Sequence, residues 1–197
     1  MVLWGIWFNI NAYLYNGMVR FAEVLLGWVY GLLGAHLAAA AVWTCPLPGI
    51  LNLNSDVAVK PDKNSISIGV VIRDSFGLVV AAVSKTLVGS FYAESGEFLA
   101  LRDGLLLDGN LGMSVHLIEV DACNVVSSVL GSDSSGGENG LVINDIKELF
   151  QDVGFLKCQT VSRKSSGVAH NLASLTLSSL EERYWHNVCL SCIFPCL

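Results

Sequence analysis

Across Ser65–Arg73, Ile66, Ile68, Val70 and Ile72 recur at every second position. A period of two marks a strand with these four residues on one face. Asp74-Ser75-Phe76-Gly77 follows as a hairpin turn, and Leu78 to Ser84 reads as the returning strand. Upstream, Ile50 to Val57 alternates around Leu51 and Leu53 and carries Ser55-Asp56 near its end. A polar turn containing Pro61, from Lys60 to Asn64, separates it from the next strand. Three strands joined by short turns form an antiparallel meander.

The period then changes. Phe91 to Leu107 predicts a helix, with Phe98, Leu101 and Leu105 on one face, stopped by Asp108-Gly109-Asn110. Val115 to Val120 is a fourth strand, and a short helix runs from the Asp121-Ala122-Cys123-Asn124 turn to Leu130. Gly131 to Gly140 is a polar loop, Leu141 to Phe150 a helix, Phe155 to Val161 a fifth strand and Val168 to Glu182 a last helix. This order predicts an α/β domain with a mixed five-stranded sheet. Its first three strands are antiparallel, its last two run parallel to the first, and helices flank it.

Charge divides the chain. Residues 1–50 contain only Arg20 and Glu23, so the net charge of −6 belongs to the remainder. An acidic domain does not hold nucleic acid through bulk positive charge. Val24 to Trp43 is 20 residues without a formal charge, about the length a membrane-spanning helix needs. Trp28, Tyr30 and Trp43 would suit the interfaces of such a span. Gly27, Gly31, Gly34, the Ala-rich stretch at 38–41 and the lack of flanking Lys/Arg favour a helix packed on the domain instead. No basic start announces a cleaved signal peptide, so an intracellular protein (nuclear or cytoplasmic) with six free thiols is expected. His186, Cys189, Cys192 and Cys196 have the chemistry of zinc ligands, but four ligands within eleven residues would strain a tetrahedral site. The organisation expected is an apolar helical segment at 1–42, a Pro/Gly-containing linker at 43–49, the α/β domain at 50–183 and a Cys-containing tail at 184–197.

Three carboxylates stand where such a sheet places its chemistry: Asp56 on the first strand, Glu97 in the first helix and Asp121 at the end of the fourth strand. Each has a plainer reading, as a turn residue, a solvated helix position and a helix N-cap respectively. Brought together, they would repel one another until a divalent cation compensated, and hard oxygen ligands suit Mg²⁺ or Mn²⁺.

These residues sit in a run of motifs: Leu53-Asn54-Ser55-Asp56, Gly69-Val70-Val71-Ile72-Arg73-Asp74, Glu97 through Leu105, Glu119-Val120-Asp121-Ala122, and Ser162-Arg163-Lys164 through His170-Asn171-Leu172-Ala173. In this order and spacing the chain, from about 43 to 185, resembles the ribonuclease H-like domains of plant retroelement-derived proteins. Trp4-Gly5-Ile6-Trp7-Phe8-Asn9 resembles the segment that precedes the domain in such proteins.

The resemblance implies a ribonuclease H-like fold and a hydrolase that cuts the RNA strand of RNA–DNA hybrids; the chain is expected to be a monomer. Two Mg²⁺ or Mn²⁺ ions would be held by Asp56, Glu97 and Asp121, with His170 as a further catalytic residue. Arg163 and Lys164 are the implied phosphate contacts. Ala93-Glu94 also resembles the family's Ala-Glu pair, but Ala100-Leu101 and Gly104-Leu105 follow Glu97 at the family's spacing. Two positions depart from the pattern. Val57 replaces a Gly, where a β-branched side chain would resist positive φ and crowd the metal. His170 replaces the fourth carboxylate. Both set a non-cleaving nucleic-acid-binding module beside the enzyme as an alternative, and a membrane-anchored carrier of the domain is a third.

Overall fold

The computed structural model describes residues 43–60, 64–131, 137–153, 157–177 and 181–186. Val24–Val42 and the three tail cysteines lie outside the described residues, so the expectations of a membrane span and a zinc site fall there too. Among the described residues no helix is long and apolar enough to cross a membrane.

The strands are β1 (Leu51–Lys60), β2 (Ser65–Arg73), β3 (Val79–Val88), β4 (Val115–Val120), β5 (Lys157–Thr160) and β6 (Arg183–His186). The helices are α1 (Ala93–Asn110), α2 (Cys123–Leu130), α3 (Gly140–Val153) and α4 (Gly167–Thr176). The sheet order is β5-β4-β1-β2-β3-β6. β1, β2 and β3 form the antiparallel meander, and β4 and β5 run parallel to β1, as the sequence predicts.

The sheet has six strands where five were expected. The last helix ends at Thr176, short of the predicted Glu182, and β6 then pairs antiparallel with β3. The alternation of Tyr184, Trp185 and His186 explains the strand. Trp185 packs on the apolar cluster beneath the sheet, while Tyr184 and His186 are exposed. β6 also crosses the expected domain boundary between 183 and 184. α1 continues through Asp108-Gly109-Asn110 and reverses at Gly112 (φ +61°). Asp108 does not break the helix because its buried carboxylate accepts the Val115 N–H at 3.2 and 3.3 Å, joining the helix end to β4.

The two faces of the sheet differ. Ile66, Ile68, Val70 and Ile72 of β2, with Leu53 and Val57 of β1, pack under α1. On the opposite face Val71 and Ala82 meet Val168, Ala169 and Leu172 of α4. α4 is also bolted to β3 by polar contacts. Ser84 Oγ donates to the Leu172 carbonyl and meets Thr176 Oγ1, and Thr86 Oγ1 donates to the Thr176 carbonyl at 2.9 Å.

Gly69 is where α4 touches the sheet most closely. A Cβ there would lie 2.2 Å from the Ala169 carbonyl oxygen and 2.4 Å from the Ala173 nitrogen. These are backbone atoms, which cannot rotate away as a side chain can. Gly69→Ala is therefore expected to cost about 3 kcal/mol, at the top of the ordinary overpacking range. Urea unfolding measures it, and a loss below about 1 kcal/mol would show that α4 yields freely.

Candidate functional site

The β1–β4 ladder runs parallel and closes with Ser55 opposite Val120. Asp56 is thus the first residue of β1 beyond the ladder, bounded on its other side by Gly69 of β2. Asp121 is the matching first residue beyond β4. The strand ends there because the chain turns into α2, whose N-cap position is Ala122 with no side-chain cap. Asp121 is therefore not the N-cap that its position suggests. Glu97 arrives from the first turns of α1, where Gly96 lets the helix settle onto Val57 and Ile66.

Asp56, Glu97 and Asp121 converge, their ligand atoms all within 4.8 Å of one another. Glu94 lies elsewhere: its carboxylate accepts from Asn124 Nδ2 at 2.7 Å on the exposed surface. Asp56 is completely buried, and its Oδ1 accepts the Val57 N–H at 2.7 Å. Its Oδ2 meets His170 Nδ1 at 3.1 Å, the half-exposed ring reaching across from α4. Ser166 holds the start of α4 nearby, its Oγ donating to the Ser55 carbonyl at 3.4 Å. Arg163, in the turn before α4, donates from Nε to Asp121 Oδ2 at 3.1 Å, with most of its side chain in solvent. Lys164 beside it is exposed.

Val57 continues β1 in regular pairing with Ile68 and is not among the residues of positive φ. Alternation sends its side chain to the α1 face, where it fills the space above Gly96. A β-branched residue fits at 57 because Gly96 carries no Cβ, which would lie 2.8 Å from Val57 Cγ2.

The site's electrostatics favour a cation. Burial, and then the neighbouring Asp56 and Asp121, push the Glu97 carboxyl up to about 8. Burial, and then Asp121, likewise raise Asp56, opposed by the Val57 N–H, His170 and Arg163. Glu97 Oε2 is buried without a hydrogen-bond partner. A buried carboxylate oxygen with nothing to accept from is costly, and a bound cation relieves it. Three hard oxygen donors at this separation fit a divalent metal such as Mg²⁺ or Mn²⁺.

Residues upstream on the same strands form a second polar group that sequence reasoning missed. Glu119 Oε2 accepts from Asn54 Nδ2 at 3.1 Å and from Trp43 Nε1 at 3.1 Å, while Gln159 Nε2 donates to its Oε1 at 3.0 Å. Arg73 donates to Asn54 Oδ1, and its guanidinium lies 3.4 Å from the centroid of the Trp43 ring. Trp43, assigned by sequence to a linker, is thereby joined to the sheet. Its indole together with Arg73 in a strand was the available signal, since both are amphipathic and stack on one another.

An α/β sheet of this order, with α4 on one face and three carboxylates past the β1–β4 ladder, is a ribonuclease H-like domain. Residues 54–176 match the family model described as reverse transcriptase-like, and the chain belongs to that family. Among solved structures it is similar to RNase H1 from the archaeon Halobacterium salinarum, at 20% identity and TM-score 0.57, covering 66% of this chain and 98% of that one. LC11-RNase H1, isolated from compost and solved with an RNA/DNA hybrid, is similar at 19% identity and TM-score 0.57, covering 64% and 94%. The N-terminal RNase H domain of a Mycobacterium tuberculosis protein matches at 17% and TM-score 0.57, covering 66% and 94%. At these identities the likeness shows the fold. No curated protein matches the sequence.

The raised Glu97 carboxyl makes stability depend on pH. Its ordinary value is 4.5, so between about 4.5 and 8 the folded chain binds a proton that the unfolded chain releases. The stabilisation this gives is full below 4.5 and is lost as pH rises through about 8. The melting temperature of metal-free protein is expected to fall over that window, Glu97→Gln is expected to flatten the fall, and Mn²⁺ is expected to reverse it at pH 8. A profile unchanged by Glu97→Gln would show that Glu97 ionises normally.

Proposed function

We propose that this protein is a divalent-metal-dependent nuclease that cuts the RNA strand of RNA–DNA hybrids. The observation that carries the reading is the convergence of Asp56, Glu97 and Asp121 within 4.8 Å, on this fold, around an unpartnered buried Glu97 oxygen. The hybrid bound by the structurally similar LC11-RNase H1 supports the substrate class. The motif resemblance to plant retroelement-derived proteins supports a retroelement ancestry. All three ligands come from one chain, so a monomer suffices, and an intracellular setting suits the substrate.

Asp56, Glu97 and Asp121 would hold one or two Mg²⁺ or Mn²⁺ ions. Such ions, when bound, supply a nucleophilic water at neutral pH and clamp the leaving oxygen of an in-line displacement. Asp56, anchored by the Val57 N–H, stays fixed between β2 and the open end of the ladder. His170 has its Nδ1 engaged by Asp56, which leaves the Nε2 of its half-exposed ring as the nitrogen not committed to that carboxylate. Arg163 stands at the rim with an exposed guanidinium, in reach of Asp121 and suited to a phosphate once a cation takes over that carboxylate.

The test is cleavage of a labelled RNA–DNA hybrid by the full chain with Mg²⁺ or Mn²⁺. Asp121→Asn is expected to reduce cleavage by about a hundredfold or more, as loss of one preorganised charge at a reacting centre does, with the fold retained by circular dichroism. Metal-independent cleavage, or none from folded wild-type protein, would falsify the nuclease reading. One observation favours a second reading, of a module that binds hybrids without cutting: Arg163 already neutralises Asp121 in part. On that reading hybrid affinity is independent of metal and falls steeply with salt.

A further inference from the structure

Asn54 and Glu119 are opposite one another in the parallel β1–β4 ladder, and Asp56 and Asp121 each lie two residues further along. Side chains two residues apart share a face of the sheet. The bond from Asn54 Nδ2 to Glu119 Oε2, at 3.1 Å, is therefore a cross-strand tie one step, roughly 6.6 Å, before the carboxylates. It is the last such tie before the ladder closes at Ser55 and Val120, where backbone pairing stops holding the two strands at a set distance.

The tie is held from both ends. Asn54 and Glu119 are both buried. Asn54 Oδ1 accepts from Arg73, so the amide is fixed in orientation, with its nitrogen directed at Glu119. Glu119 is fixed by Trp43 and Gln159, at 3.1 and 3.0 Å. Two neutral groups thus bridge a buried cation and a buried anion. Asn54 offers its oxygen to Arg73 and its nitrogen to Glu119, while Trp43 offers its ring face to Arg73 and its N–H to Glu119. Buried charges bridged in this way resist separation, because a break at either link strands a charge away from water.

We propose that Asn54 and Glu119 are positioning residues that set the separation of Asp56 and Asp121, and hence the affinity of the site for divalent metal. The proposal rests on the metal reading of the carboxylate cluster. Neither residue is among the three carboxylates that would hold the metal. Their part is that of outer groups that hold ligands in place, whose loss ordinarily weakens metal binding about 10- to 100-fold.

Calorimetric titration of the full, metal-stripped chain with MnCl₂ tests it. Asn54→Ser keeps a small polar side chain but cannot span from Arg73 to Glu119. It is expected to weaken Mn²⁺ binding by about tenfold or more, while near-ultraviolet circular dichroism stays native. Thr86→Val is the control. It removes the bond from Thr86 Oγ1 to the Thr176 carbonyl and keeps a β-branched strand residue, so it lowers the melting temperature but leaves the Asn54–Glu119 tie and its partners intact. Its Mn²⁺ affinity is expected to stay within about threefold of wild type, below the outer-group range. Should Asn54→Ser lose its fold, Asn54→Thr, a better strand former, takes its place with the same expectation.

Equal Mn²⁺ affinity in wild type and the folded Asn54 variant overturns the proposal while leaving the metal reading standing. So does equal weakening by Thr86→Val, which would reduce the effect to general loosening. No saturable Mn²⁺ binding by wild-type protein overturns the metal reading and the positioning role together.

Discussion

The parallel contact between β1 and β4 is the constraint on which this molecule depends. β1 is central to the sheet, flanked by β2 and β4, with α1 over one face and α4 over the other. A parallel neighbour cannot be reached by a tight turn, so α1 must cross between the meander and β4. That crossover is what delivers Glu97. The early end of β4 then leaves Asp56 and Asp121 side by side without a ladder bond between their residues. Site and topology therefore share one cause: the same crossover that buries β1 gathers the acids at its open end.

The elements legible in the sequence were those in which period and burial agree. Ile66, Ile68, Val70 and Ile72 lie on the α1 face, and Phe98, Leu101 and Leu105 return the contact from the helix. Asp56, Glu97 and Asp121 were legible only as a set within a family pattern, because each separately has an ordinary local explanation. β6 was missed because Leu172 and Thr176 extend a helical spacing that the chain abandons shortly afterwards.

The polar network was missed for a different reason. Asn52, Asn54 and Asp56 alternate with Leu53 and Val57, and such alternation ordinarily marks a strand with one wet face. Here the polar members are fully buried. α4 covers one part of that face and Trp43, a residue from outside the sheet, covers another. Periodicity reports that two faces differ. It does not report that the polar face is dry, because the residues that dry it are distant in sequence. The Val57–Gly96 exchange escaped for the same reason, being a complementarity in volume between two elements rather than a property of either.

The backbone-to-backbone seat of α4 on Gly69 has a consequence for how such a domain tolerates sequence drift. His170 follows directly after Ala169, whose carbonyl is the atom nearest to where a side chain at 69 would begin. Its station over Asp56 is gauged from peptide groups on both sides, and peptide groups are common to every sequence. The apolar residues around this contact can be exchanged over evolutionary time while the histidine keeps its place, provided that one position stays bare.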